Sequence, residues 1–143
     1  MKKMKKIMIL FVVVLCGATS MAGQERYPNA VAGPEGIYVN CGNRVPRDFA
    51  YQVFRRAKGS KTWEEMTTMA CENHFDAFFN KVTLANVHNP VYQLPTDSTK
   101  GFIWRLAQRA VFTDSIPYFG ALPMYREALG VTWYDGTAEK GKK

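Results

Sequence analysis

The sequence lacks four short motifs that mark common enzyme classes. It contains no G-x-S-x-G nucleophile turn, no H-E-x-x-H zinc-binding pair, no Walker phosphate loop and no G-x-G-x-x-G dinucleotide motif. It also lacks an internal repeat and a long low-complexity tract. General disorder is excluded, because 47% of the 143 residues are hydrophobic and 13% are aromatic, enough to build a core. We therefore expect one folded domain, together with a processed segment at most, and no recognisable catalytic centre.

Long hydrophobic runs are scarce as well, which excludes a protein with several membrane spans. The mean hydropathy is −0.23, and the single long apolar run covers residues 7–15. A helix of this length is about 14 Å long, less than half of the ~30 Å hydrocarbon core of a bilayer. The run follows four lysines and precedes the small residues Ser20 and Ala22. This pattern is typical of a secretory signal peptide over residues 1–22, with cleavage after Ala22, and predicts export to the periplasm, the cell surface or the extracellular space.

Cys16 offers an alternative form of processing, in which a lipid anchor is attached to this cysteine. A lipoprotein signal requires a small residue directly before the cysteine, but Leu15 occupies that position. We therefore favour cleavage after Ala22, with only a transient membrane contact through the signal peptide.

An excess of positive charge is lacking from the body of the protein, although the whole chain has a net charge of +7. The 19 Lys and Arg residues, less the four lysines of residues 1–22, leave 15 against 12 Asp and Glu. Three of these 15 lie within the last four residues, so that residues 23–139 contain 12 basic and 12 acidic side chains. A neutral body does not provide the field that attracts a phosphate backbone. The charge pattern argues against nucleic acid as a partner.

Cysteine is rare after the predicted cleavage, since only Cys41 and Cys71 remain. In an oxidising compartment the two can form a disulfide, and the alternative is a pair of buried thiols too far apart to react. Together with His74 and His88 they include the residue types of a Cys2His2 zinc site, but their spacing matches no compact zinc finger. We predict no metal and no cofactor.

The first third of the mature chain has a β pattern. Residues 23–35 are interrupted by Pro and Gly and predict a leader or linker. β-forming residues then predict strands over residues 36–40, 49–56 and 62–66, with a turn at Gly59 between the last two.

The middle of the chain has helical periodicity instead. Apolar residues at spacings of three and four predict a helix over residues 67–82, capped by Thr67 or Thr68. Further helices are predicted over residues 99–112 and 122–129, the latter ending at Gly130. The predicted inward face of the 99–112 helix consists of Phe102, Ile103, Leu106 and Ala110. A β pattern returns at residues 131–134.

The β segments carry a family resemblance. Tyr51, Val53, Arg55, Gly59 and Trp63 follow a Y-x-V-x-R…G…W pattern that resembles the central hairpin of fibronectin type III-like modules in large exported bacterial proteins.

A second block, Trp133-Tyr134-Asp135 followed by Gly141, is similar to a later strand and turn of the same modules. The strands that normally follow this glycine lie beyond the end of the chain, so the resemblance implies a module truncated at its C-terminus. The implied fold is α+β: a partial immunoglobulin-like β-sandwich over residues 36–143, interrupted by a helical insertion at about 67–129.

Three functions from different classes remain open. We favour a non-catalytic structural or interaction module of an exported bacterial protein, the N-terminal part of a larger modular chain, whose partners are other modules of the same or another chain. The first alternative is a glycan-binding module that stacks polysaccharide on Trp63, Trp104 and Trp133, although the core is the usual place for such rings. The second is a small secreted hydrolase that pairs His74 or His88 with an acid. The candidate acids are Asp76 and Asp114.

Overall fold

The computed structural model describes the backbone of residues 3–8 and both backbone and side chains of residues 26–138. The predicted cleavage site after Ala22 and the candidate lipid anchor Cys16 lie outside these ranges. Both therefore stay predictions.

The protein has a mixed α+β fold. In chain order the described elements are β1 (Lys3–Met8), β2 (Asn29–Ala32), β3 (Ile37–Asn40), β4 (Phe49–Arg55), β5 (Glu64–Met69), α1 (Phe75–Asn86), α2 (Asp97–Arg109), α3 (Pro123–Ala128) and β6 (Thr132–Asp135). A short 3-10 turn, Thr113–Ser115, lies between α2 and α3. Within these ranges no helix combines the length and the apolar character that a membrane crossing requires.

The strands form two three-stranded sheets. In the first, β4 pairs in parallel with β1 and antiparallel with β5. The turn between β4 and β5 contains Gly59 with φ of +82°, a conformation that glycine adopts without steric cost. The second sheet has the order β2-β3-β6 and is antiparallel throughout.

β2 corrects the prediction that residues 23–35 are a leader without regular structure. Residues 29–32 pair with β3 through a hairpin whose turn is closed by the Gly33 N–H donating to the Gly36 carbonyl at 2.8 Å. Three of the four β2 residues are exposed. Because backbone pairing rather than burial forms this strand, no hydrophobic pattern marks it in the sequence.

Two hydrophobic clusters organise the interior. The sheet cluster, which both sheets share, consists of Val39, Cys41, Phe49, Tyr51, Val53, Met69 and Val131. The helical cluster joins α1, α2 and α3 around Phe78, Val82, Ile103, Met124 and Leu129. The helical segment predicted between the β blocks therefore forms a second core beside the sheets.

The start of the first helix was predicted incorrectly. Residues 67–69 belong to β5, where Met69 pairs with Tyr51, and α1 begins only at Phe75 with His74 as its N-cap. The threonines at 67 and 68 suit both a strand and a helix cap, and the ladder to β4 decides between them. Phe78, Phe79 and Val82 are buried on α1, as the periodicity predicts.

The second and third helices follow the sequence more closely. In α2, Ile103 and Ala107 are buried, whereas Phe102, predicted to face inward, is 55% exposed. α3 lies inside the predicted range and is followed by Gly130 at φ of +78°. A Cβ at position 130 would lie 2.5 Å from the Ala70 carbonyl oxygen, so that glycine is required for the close packing of this turn as well as for its φ.

Candidate binding site

A cavity of about 310 Å³ lies between the β2-β3-β6 sheet and the segment that leads into α3. Tyr38, Asn40 and Thr132 line it from the sheet. Neighbouring side chains of a strand point to opposite faces, and Val39 packs into the sheet cluster. The cavity is therefore on the sheet face that is turned away from the sheet cluster.

Arg126 of α3 is the charged side chain in the interior wall of this cavity. Only 7% of the residue is exposed. Its guanidinium donates from Nε to Thr132 Oγ1 at 3.0 Å, from Nη1 to Thr113 Oγ1 at 3.0 Å and from Nη2 to the Gly42 carbonyl at 2.8 Å. It also lies 5.5 Å from the centre of the Tyr27 ring. These contacts fix a positive charge between α3, β6 and the loop after β3.

A chain of hydrogen bonds extends from Arg126 across the sheet. Thr132 Oγ1, which accepts from Arg126, donates to Asn40 Oδ1 at 2.7 Å. The Asn40 amide in turn donates to Asn29 Oδ1 at 2.9 Å. Because each member is held by the next, the guanidinium is held in one orientation.

Arg126 forms no ion pair with a side chain in the described part of the chain. All three hydrogen-bond acceptors are neutral oxygens, and the ion pairs formed by residues 26–138 involve other side chains. A guanidinium has five N–H donors, so two are not used by these bonds. A buried cation with neutral partners alone is unusual, since burial of a charge is costly unless it is paired.

Burial disfavours the charged forms of Cys41 and Glu127, two ionisable groups close to Arg126 in the fold or in the sequence. Burial raises the pKa of the Cys41 thiol to about 12, and the charge of Arg126 only partly opposes this rise. Burial likewise raises the pKa of Glu127 to about 8, and Lys81 is the charge that opposes this shift.

The surroundings of Glu127 form a second polar region beside the cavity. The Tyr38 hydroxyl and Glu127 Oε2 are both buried without a hydrogen-bond partner in the described structure. The pKa of Tyr38 is raised to about 12, first by burial and then by Glu127. His88 stacks on Tyr134 with ring centres 4.0 Å apart, and burial lowers its pKa. Burial of Glu127 favours its neutral form and so reduces the negative charge of this region.

Asp114 is the acidic side chain in the wall of the cavity. It is exposed to solvent and accepts a hydrogen bond at Oδ2 from the Asn43 side-chain amide at 3.1 Å. The preceding residue, Thr113, binds both Arg126 and the Asn43 carbonyl. One short segment thus carries the carboxylate of Asp114 and an anchor of the Arg126 guanidinium.

The remaining candidates from the sequence do not converge on this cavity. Cys41 and Cys71 are buried thiols in the sheet cluster and the helical cluster respectively. His74 caps α1, and His88 lies beyond its end against Tyr134. Among the described residues no three His, Cys, Asp or Glu side chains are placed to hold a metal ion.

The three tryptophans lie in different environments. Trp104 packs in the helical cluster against Phe75 and Phe78, and Trp133 packs against the sheet cluster. Trp63 lies under the Arg56 guanidinium at 4.7 Å. Each ring thus has its own packing partners.

The hydrolase candidates are also separated. Asp76 is exposed in the first turn of α1, while Asp114 lines the cavity. Neither His74 nor His88 is among the residues that line it.

Sequence reasoning missed Arg126, although its surroundings contain a signal. The residue lies in a segment of six residues that also contains Met124, Tyr125, Ala128 and Leu129, all of them buried. Arg126 and Glu127 are the two charged residues of α3, and the apolar residues on both sides of them indicate that this short helix is largely buried.

Comparisons of the chain with protein-family models, with curated proteins and with solved structures give no match. Function is therefore inferred from the cavity and its charges.

Proposed function

We propose that the chain is a non-catalytic interaction module of an exported bacterial protein, and that its cavity binds a ligand through a carboxylate group. One observation carries the proposal: Arg126 is buried in the cavity wall, and among residues 26–138 it donates to neutral oxygens alone and leaves two N–H donors unused. A carboxylate accepts two parallel N–H bonds from a guanidinium and cancels its charge.

The charges around the cavity favour a carboxylate over a phosphate. A phosphate monoester carries up to two negative charges at pH 7. Asp114 lines the same cavity and repels a dianion more strongly than a single negative charge. Arg126 alone matches the single charge of a carboxylate.

The chemistry of the lining residues supports a binding role. The hydroxyl groups of Thr113 and Thr132 both accept hydrogen bonds from Arg126, and neither lies next to a histidine base. Such hydroxyls hold a guanidinium in place and are not activated as nucleophiles.

The same proposal includes a fibronectin type III-like arrangement of the two sheets, with the helices inserted between β5 and β6. It is supported by the common sheet cluster, to which Tyr51 and Val53 of the first motif block contribute and against which Trp133 of the second packs. Export is supported by the signal-peptide pattern of residues 1–22. Cleavage after Ala22 would remove β1, so that the exported protein would keep β4 and β5 of the first sheet. The expected macromolecular partners are other modules of the same or another chain.

The carboxylate site is tested by NMR titration of the ¹⁵N-labelled full chain with acetate and with its neutral isostere acetamide. We expect acetate to shift the Arg126 Nε–H signal and acetamide to leave it unchanged. Arg126→Gln is expected to weaken acetate binding about 10-fold or more, because a hydrogen-bonded charge is removed. Arg105→Gln, an exposed arginine of α2, is the control and is expected to bind as the original chain does.

Equal shifts with acetate and acetamide would contradict the proposal. So would unchanged acetate binding by Arg126→Gln. The comparison of the two ligands needs no variant and remains valid if Arg126→Gln does not fold.

A further inference from the structure

We infer that the ligand of the Arg126 cavity is a small zwitterion of the amino-acid class, whose carboxylate meets Arg126 and whose ammonium group meets Asp114. This inference rests on the proposed carboxylate site and names its ligand class. It derives from the two opposite charges that line one cavity.

The two charged groups differ in depth. Arg126 is 7% exposed, whereas Asp114 is exposed to solvent. A ligand between them therefore enters with its carboxylate first and keeps its ammonium group near the opening.

The two groups do not neutralise each other. No nitrogen of Arg126 lies within the 4.0 Å of an Asp114 oxygen that defines an ion pair. Asp114 is held by Asn43 through Oδ2, which leaves Oδ1 without a hydrogen bond in the described structure. Each charge is thus free to bind the opposite charge of a ligand that lies between them.

The size and lining of the cavity limit the rest of the ligand. Its volume of about 310 Å³ is at the lower end of small-molecule sites, which are ~300–1,000 Å³. Apolar side chains of Val31, Ile116, Ala121 and Pro123 complete the wall. A short aliphatic side chain on the ligand fits this lining, since it buries apolar surface.

Valine and its two truncated analogues isolate each charge. L-Valine carries both groups, 3-methylbutanoate lacks the ammonium group, and 2-methylpropan-1-amine lacks the carboxylate. Glucuronate is added as an acidic sugar without an ammonium group. Dissociation constants are measured by calorimetry or NMR titration on the full chain, on Asp114→Asn and on the control Asp48→Asn, which replaces an exposed aspartate outside the cavity lining.

We expect the original chain and Asp48→Asn to bind valine about fivefold more tightly than 3-methylbutanoate, the gain typical of one exposed ion pair. In Asp114→Asn this preference is expected to disappear, with 3-methylbutanoate bound at least as tightly as before. The amine is expected to bind more weakly than either acid.

The outcomes separate the two proposals. Equal binding of valine and 3-methylbutanoate would overturn the zwitterion and keep the carboxylate site, and a valine preference that survives in Asp114→Asn would overturn the role of Asp114. Tighter binding of glucuronate than of valine would overturn the amino-acid class. If none of the acids binds, the carboxylate site itself fails, and the zwitterion with it.

Discussion

Arg55 and Arg126 both reach into the interior of the fold, and among the described residues only Arg55 of the two forms an ion pair. Arg55 Nη1 lies 3.0 Å from Asp135 Oδ2, and Asp135 is 0% exposed. Arg126 is more deeply buried than Arg55 and donates to three neutral oxygens. Within the described part of the chain, one of these arginines is thus paired with a carboxylate and the other is not.

The acidic partner of Arg55 marks a structural contact, whereas the absence of such a partner for Arg126 among the described residues marks a candidate binding contact. The Arg55–Asp135 pair joins the end of β4 to the end of β6, and Thr137 adds two hydrogen bonds to the same carboxylate. The charge of Arg126 instead faces a cavity. Buried charges without a partner in the fold occur chiefly at functional sites, where a ligand supplies the opposite charge.

Among these substitutions, Arg55→Met is expected to lower the free energy of unfolding most. Among residues 26–138, the substitution leaves the buried Asp135 carboxylate with Thr137 as its only hydrogen-bonding residue, and we expect a loss of about 3 kcal/mol in the free energy of unfolding. Urea denaturation of the full chain measures it. Arg56→Met is the control from the same strand end and removes only a contact with Trp63, for a loss below about 1 kcal/mol. Equal losses would show that the Arg55–Asp135 pair is not a major structural contact.

Arg126→Met is expected to cost less, about 2 kcal/mol. The substitution removes the donors of three buried oxygens, but it leaves no unpaired charge and removes one that was uncompensated. The same denaturation experiment measures the loss. A loss larger than that of Arg55→Met would mean that Arg126 is mainly a structural residue, and it would weaken the comparison.

Glu127 tests whether the fold hides an acidic partner for Arg126. Burial raises the pKa of Glu127 from 4.5 to about 8, so between these pH values the folded chain holds a proton that the unfolded chain releases. Stability from this group is therefore present below pH 4.5 and is lost as the pH rises toward 8.

Glu127→Gln removes this pH-dependent loss of stability, because glutamine does not ionise. We expect the variant to equal the original chain below pH 4.5 and to exceed it by a growing margin as the pH rises to 8, in urea denaturation. The lowered pKa of His88 changes the stability with pH in the opposite direction. This contribution cancels when the variant and the original chain are compared at the same pH. Glu35→Gln, at an exposed glutamate, is the control. A variant that is less stable at pH 8 would show that Glu127 is ionised in the folded chain, so that a buried negative charge lies next to Arg126 in the sequence.

The sequence predicts the elements with strong local patterns. The strands near residues 36–40 and 49–56 and the helix before Gly130 are confirmed, because alternation, a first-turn proline and a terminal glycine are local signals. β2 and the last residues of β5 were missed, since their pairing with β3 and β4 depends on partners elsewhere in the chain.

The candidate site was less predictable than the fold. Asp114 was named only as an acid for a hydrolase, and Arg126 was not named at all. The two come together because a 3-10 turn after α2 places Thr113 against α3. No periodicity encodes this contact, which depends on tertiary packing.

The smallest effect on stability is expected from Asn43→Ala. Its side chain makes one exposed hydrogen bond, to Asp114 at 3.1 Å, so the loss is at most about 0.5 kcal/mol. If this bond holds Asp114 toward an ammonium group, the preference for valine over 3-methylbutanoate falls about twofold while 3-methylbutanoate binding is unchanged. Titration of both ligands measures this. A fall in the affinity for both acids alike would indicate that Asn43 supports Arg126 through Thr113, whose N–H donates to the Asn43 carbonyl. Arg126 and Asp114 would then not act as separate contacts.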